Sequence, residues 1–197
     1  MNRNQIVFNT RRQIFNAILT LSKNSNIEKL KTIQIANEAG LNRVTVRKYL
    51  ESQESPVLFF HKFQDDLLEK VQLDQQIFND DSYIDNNIYV KLLKSANILY
   101  EFRFELRLIF YNFGGTESYF FKNLRYKLHN RDFTVYRINN SPESASQLIV
   151  ISKREALFFK NELIAILITW LTSEKPEKPE IIMRHIKNYW LDLVIWP

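Results

Sequence analysis

The stretch Thr32-Ile33-Gln34-Ile35-Ala36-Asn37-Glu38-Ala39-Gly40-Leu41-Asn42-Arg43-Val44-Thr45-Val46-Arg47-Lys48-Tyr49-Leu50 has the pattern of two short helices joined by a tight turn. Thr32 is placed to cap the first helix, and Ile35, Ala36 and Ala39 form its inner face. Ala36 suits a close helix crossing, where only a small side chain fits. Gly40, one of only 3 glycines in the chain, permits the left-handed conformation that closes a helix. Leu41 then plugs the core, and Asn42 caps a helix expected over 43–49. Val46 and Leu50, one helical turn apart, point inward, which leaves Arg43, Val44, Thr45, Arg47 and Lys48 on the outer surface. A Gly-containing turn followed by a short helix with a basic, hydroxyl-bearing face describes a helix-turn-helix.

Upstream, Ile14, Ala17, Ile18 and Leu21 predict a helix over 10–23 with Thr10 as its cap, and Lys23-Asn24-Ser25-Asn26 is a polar break. A helix in the major groove needs Arg or Lys for phosphates and guanine edges, and short side chains for close approach. Thr45 can bond a base or phosphate, a Val44 methyl can touch a thymine methyl, and the helix starts at Thr32 and Asn42 offer backbone N–H groups to phosphate. Charge placement agrees. Residues 1–64 hold ten Lys/Arg against four Asp/Glu, a net +6, while residues 65–197 hold seventeen against eighteen, a net −1. The competing reading is a surface helix whose Arg43, Arg47 and Lys48 are merely solvated.

From about Arg11 to Phe63 the chain resembles the N-terminal domain of the tetracycline-repressor (TetR) family, with the match centred on the stretch quoted above. It shares a capping Thr, an Ile-Ala pair, an Ala-Gly-hydrophobic turn and a recognition helix with an aromatic residue near its end. The resemblance implies DNA contacts at Thr32, Arg43, Thr45, Arg47, Lys48 and Tyr49; with their neighbours Gln34, Asn42 and Val44 these make the candidate DNA-binding set. Val44 stands where the family has a small residue, Arg47 where Tyr is common, Leu50 where Phe is usual, and Gln53 where a phosphate-binding Lys is frequent.

Beyond this segment, 3 glycines and 5 prolines in 197 residues argue for long helices rather than a many-stranded sandwich or barrel. Ser55-Pro56 opens a fourth helix along Val57, Leu58, Phe60, Phe63, Leu67, Leu68 and Val71, and Asp80-Asp81-Ser82 breaks it. A fifth helix is expected over 86–111, ended by Gly114-Gly115, and a sixth over 116–129 capped by Thr116. Residues 130–141 read as polar and turn-like, with Phe133-Thr134-Val135-Tyr136 able to form a short extended piece. A helix from Lys153 to Thr172, a stop at Ser173–Pro179 and a last helix over 180–195 complete the chain.

The expected fold is therefore all-α: a helix-turn-helix domain of three helices over 1–54 and a helical ligand-binding and dimerisation domain over 55–197. The Lys153–Thr172 helix, apolar on more than one side, and the amphipathic last helix supply the candidate dimer interface: Phe159, Leu163, Ile166, Trp170, Ile186, Tyr189, Trp190 and Leu193. An ordinary intramolecular core is the alternative for these residues. The resemblance also implies an effector pocket among the middle helices, with Tyr100, Phe104, Tyr111 and Phe120 as candidate lining residues; an aromatic stripe of this kind equally fits a core.

Catalytic chemistry is not visible. With no cysteine there is no thiolate ligand or disulfide, which fits a reducing cytoplasm. His61, His129 and His185 match no metal-ligand spacing, the glycines form no phosphate loop, and Asp65-Asp66 and Asp80-Asp81 are adjacent pairs that diverge on a helix. Met1-Asn2-Arg3-Asn4-Gln5 leads into no signal-peptide core, and the longest apolar run, Leu163–Leu171, is far short of a span of ~20 residues. The expectation is a non-enzymatic, cytoplasmic, homodimeric regulator of transcription, most simply a repressor. It binds double-stranded DNA and a small-molecule effector, with no metal, cofactor or membrane partner. Two rivals are a TetR-like protein–protein adaptor that no longer reads DNA and a small-molecule-binding protein or enzyme built on the helical domain alone.

Overall fold

The computed structural model describes residues 2–51, 55–71, 86–129, 134–139, 147–150, 153–189 and 193–196. The fold is helical, as expected, with nine α-helices among the described residues, and it adds a small antiparallel sheet of which the sequence reading offered only a short extended piece at 133–136. The chain divides into two compact units: residues 1–67 with 108–120, and residues 68–107 with 121–197. The first unit thus takes in the expected 1–54 domain together with most of the fourth helix and a later segment.

Helix α1 (Arg3–Leu21) starts well before the predicted position. Its N-cap is Asn2, whose side chain accepts from the Asn4 N–H at 3.3 Å, and Thr10 lies inside the helix with its hydroxyl donating to the Ile6 carbonyl at 2.9 Å. Burial begins only at Ile14, so apolar spacing reveals the second half of the helix and not the first. A single 3₁₀ turn over Ile27–Lys29 leads to α2 (Thr32–Ala39). The N-cap position of α2 is Lys31, not Thr32. An ammonium cannot accept a hydrogen bond, so Lys31 contributes no side-chain cap; instead the Gln34 Oε1 accepts from the Lys31 N–H at 2.9 Å.

The turn after α2 behaves as its residues dictate. Gly40 sits at φ 63°, ψ 30°, in the left-handed region. Its N–H donates to the Asn37 carbonyl at 3.3 Å, and the Leu41 N–H donates to the Ala36 carbonyl at 3.0 Å. This is the paired closure of a Schellman motif. Helix α3 (Arg43–Glu51) follows, longer by two residues than expected. Asn42 caps it: its Oδ1 accepts from the Val44 N–H at 2.8 Å. Asn42→Ala removes that acceptor and is expected to lower stability by about 1 kcal/mol, measured as a shift in the denaturant midpoint at unchanged slope.

Helix α2 packs against both α1 and α3, and Ile14, Phe15, Ile18, Ile35, Ala36, Val46 and Leu50 are all buried. Ser55 and Pro56 open α4 (Pro56–Lys70) as predicted, the Ser55 hydroxyl accepting from the Leu58 N–H at 3.1 Å. Within the first unit α4 buries Phe59, Phe60 and Phe63 and leaves Leu58 exposed. Phe15 lies stacked between two of these rings, 4.8 Å from Phe60 and 4.4 Å from Phe63 by centroid. Arg11 forms an ion pair with Asp66, and its guanidinium lies 5.9 Å from the centre of the Phe63 ring.

The single fifth helix expected over 86–111 is two: α5 (Asn86–Glu101) and α6 (Arg103–Asn112), separated at Phe102. No glycine or proline marks the break; Phe102 is 1% exposed, and packing of its ring stands in for a local signal. Gly114 and Gly115, both at positive φ, end the α6 segment as predicted. They lead to a 3₁₀ turn over Gly115–Glu117 that contains Thr116, so Thr116 does not cap α7 (Tyr119–His129).

In the second unit the polar stretch after α7 contributes strand β1 (Thr134–Asn139), followed by β2 (Gln147–Val150). Helix α8 (Lys153–Thr172) matches its expected span. Helix α9 (Pro179–Tyr189) ends earlier than expected, and strand β3 (Leu193–Trp196) replaces its predicted last turn. The strand order is β2-β1-β3, both pairs antiparallel, with Tyr136 opposite Val150 and Thr134 opposite Trp196. Helices α5 and α9 pack together, and Ala96, Leu99, Leu167, Leu171, Met183 and Ile186 are buried in this unit. Among the described residues no helix is long and apolar enough to cross a membrane.

Candidate nucleic-acid interface

On α3, Val46 is fully buried and Leu50 nearly so, which fixes the rotation of the helix about its own axis. At 100° per residue positions 44, 48 and 51 then fall opposite the buried side and 47 on its flank, while 43, in the first turn, lies on the same side as Val46. Arg43, Val44, Arg47 and Lys48 are all exposed, Val44 at 73%. An aliphatic side chain that open on a helix between cations has no partner in its own unit's core. Thr45 and Tyr49 are half-buried at the edge of this face. Asn42 and Gln34 are exposed and Thr32 half-buried at the helix starts. The sequence-predicted set therefore falls at two places, Thr32 and Gln34 at the start of α2 and the other seven residues on α3 and its cap. Gln34 and Asn42 also have structural work, since each side-chain oxygen accepts a backbone N–H at a helix N-terminus. Gln53 lies outside the described residues.

Sequence reasoning missed Glu51. It stands one turn beyond Arg47, and its Oε1 accepts from the Arg47 Nε at 2.5 Å. That hydrogen bond and the carboxylate's charge push the Arg47 pKa further above its already high value. The signal was available, because residues four apart on a helix are neighbours. The helix had been expected to end before Glu51. Both side chains are well exposed, at 66% and 60% for Arg47 and Glu51, so the pair contributes little to stability. It holds the guanidinium in place and partly neutralises it.

The four candidate pocket residues are divided between the two units. Phe120 is fully buried in the first unit, and Tyr111 in that unit is 63% exposed. Tyr100 and Phe104 line a common cavity in the second unit. Of the candidate interface residues, Leu163, Trp170 and Ile186 are buried within the chain itself, and Ile166 is half-buried. Their burial follows the intramolecular-core alternative. Trp170 is held by its Nε1 donating to the Glu177 carbonyl at 2.8 Å. Among the described residues, the large apolar side chains left exposed on α8 and α9 are Leu157, Phe158 and Ile181. The side chains of Phe159, Tyr189 and Leu193, and all of Trp190, lie outside what the structure describes. Among the described residues no group of three His, Asp or Glu side chains is placed to hold a metal ion.

No protein-family model matches the chain, and no curated protein or solved structure matches it either.

Proposed function

We propose that the chain is a DNA-binding regulator of transcription that reads a pseudo-palindromic operator as a homodimer. The observation that carries this is the exposed surface of α3: two arginines, a lysine and an open valine on a helix that Val46 and Leu50 lock into the core. The closed turn at Gly40 and the cap at Asn42 support it, since they set the angle and start of that helix. So does the excess of positive charge in residues 1–64. Arg43 and Arg47 supply guanidinium forks for guanine edges or phosphates, Lys48 a point charge for phosphate, and Val44 an apolar contact for thymine. Two such helices in successive major grooves require half-sites about 34 Å apart. Dimerisation is assigned to α8 and α9, through the exposed Leu157, Phe158 and Ile181 rather than through the buried Leu163, Trp170 and Ile186. Repression in the cytoplasm, relieved by a small-molecule effector, is the regulatory form proposed.

Selection of duplexes from a randomised pool tests the reading, followed by fluorescence anisotropy on the selected sequence. The expected result is a two-fold symmetric consensus, bound with an affinity that falls steeply with salt. Arg47→Ala is expected to weaken binding to that sequence by about tenfold or more, on the basis of one base or phosphate contact. Glu51→Gln, which releases the Arg47 guanidinium and removes one negative charge from the face, is expected to tighten binding about threefold at low salt. A pool with no enrichment sinks the proposal, and so does an Arg47→Ala protein that selects and binds like the wild type.

A further inference from the structure

The second unit contains a cavity of about 270 Å³ where Tyr100 at the end of α5 and the first turns of α6 meet the segment joining α8 to α9. One wall is a stack of flat groups. The Arg103 guanidinium carbon lies 4.3 Å from the centre of the Tyr100 ring and 4.5 Å from that of Phe104. Arg103 is held there by its Nη1, which donates to the Tyr100 carbonyl at 2.9 Å. Tyr100 stacks in turn on Trp170, with centroids 6.0 Å apart and planes 13° from parallel. The remaining charged groups that line the cavity are Arg107, Glu174 and Lys175. Three cations thus face one carboxylate.

That carboxylate is loosely held. Arg107 Nη2 donates to Glu174 Oε1 at 3.1 Å, with the Arg107 side chain 31% exposed and that of Glu174 85% exposed. An ion pair so open to water contributes little, so an incoming anion displaces it at small cost. Phe104 meanwhile lines the cavity with 61% of its surface exposed although the Arg103 guanidinium lies against its ring. The volume lies just below the roughly 300–1,000 Å³ usual for ligand sites, which fits a single ring and not a drug-sized molecule.

We propose that this cavity binds a small aromatic carboxylate. The ligand's carboxylate takes the place of Glu174 on the Arg107 guanidinium, and Lys175 adds a second positive charge. The ligand's ring lies against Phe104. Glu174 is then an internal stand-in for the ligand, and its release frees the segment between α8 and α9. The inference names a chemistry for the effector in the function proposed above and rests on that reading only for its consequence on DNA.

Isothermal titration of the full chain with benzoate, its neutral isostere benzamide, and inorganic phosphate tests the site directly. Benzoate is expected to bind at least about tenfold more tightly than either, since only it offers both charge and ring. Arg107→Gln is expected to erase the preference over benzamide. Glu174→Gln is expected to tighten benzoate about threefold with benzamide unchanged, a gain that misfolding cannot produce. Equal binding of benzoate and benzamide, no binding of benzoate, phosphate binding as tight as benzoate, or a Glu174→Gln variant that binds benzoate less well overturns the proposal. Anisotropy on operator DNA with benzoate present separates the two readings: benzoate that binds without changing DNA affinity leaves the site intact and removes its regulatory role.

Discussion

Phe15→Ala is expected to be the most damaging single substitution in the first unit, lowering stability by about 3–5 kcal/mol. Phe15 is fully buried and its ring is stacked on two others, at 17° to Phe60 and 25° to Phe63. Deleting it removes a large apolar surface from the core and opens a hole that Phe60 and Phe63, both fixed on α4, cannot collapse to fill. Typical domains have only about 5–15 kcal/mol in total, so a loss of this size is a large part of the whole. The apparent Tm is expected to fall by more than about 10 °C for a unit of this size. Phe8 is the control: half-buried and stacked on Phe63 at 5.8 Å, it should cost about 1 kcal/mol on truncation to Ala. Denaturant unfolding followed by circular dichroism measures both. Similar effects from the two substitutions would mean that the three-ring stack does not anchor α1 to α4.

What the sequence discloses about this fold divides along the range of the interaction involved. The turn at Gly40 and the cap at Asn42 are settled within a few residues of themselves, and both are as expected. The Thr32 cap fails by one position because Gln34 reaches back to the Lys31 N–H, a side-chain choice that the pattern of apolar residues does not encode. The first half of α1 carries exposed Ile6 and Val7 and no buried stripe, so periodicity has nothing to register there. The break at Phe102 and strand β3 depend on distant partners. Leu193 to Trp196 continues the helical spacing of Ile186 and Tyr189, yet its backbone is taken by β1, far earlier in the chain. A sequence window cannot weigh a local helix against a strand partner it does not contain. The same division holds for the sites. The α3 face is one local motif and was legible as a set of residues, whereas the Arg103, Arg107 and Glu174 cluster joins segments distant in sequence and was not.

Salt dependence provides the sharpest test of what the basic face does, and Arg43→Ala/Lys48→Ala is the variant to use. Both side chains are exposed on α3 and neither is part of the core, so the substitution changes charge and leaves the fold alone. Each phosphate contact releases counterions and contributes about −0.9 to the slope of log K against log salt. If Arg43 and Lys48 each meet a phosphate, the slope becomes shallower by about 2 and the affinity near 0.1 M salt falls by roughly 10- to 100-fold. Lys178→Ala removes a positive charge that is equally exposed but lies in the other unit, at the start of α9. It is expected to leave both slope and affinity unchanged. Anisotropy titrations at four or five salt concentrations give the slopes for all three proteins. An unaltered slope in the double variant means that these residues meet no phosphate. An equal loss from Lys178→Ala means that the chain attracts DNA by its overall charge, in which case α3 is a solvated surface helix and the operator-reading proposal falls with it.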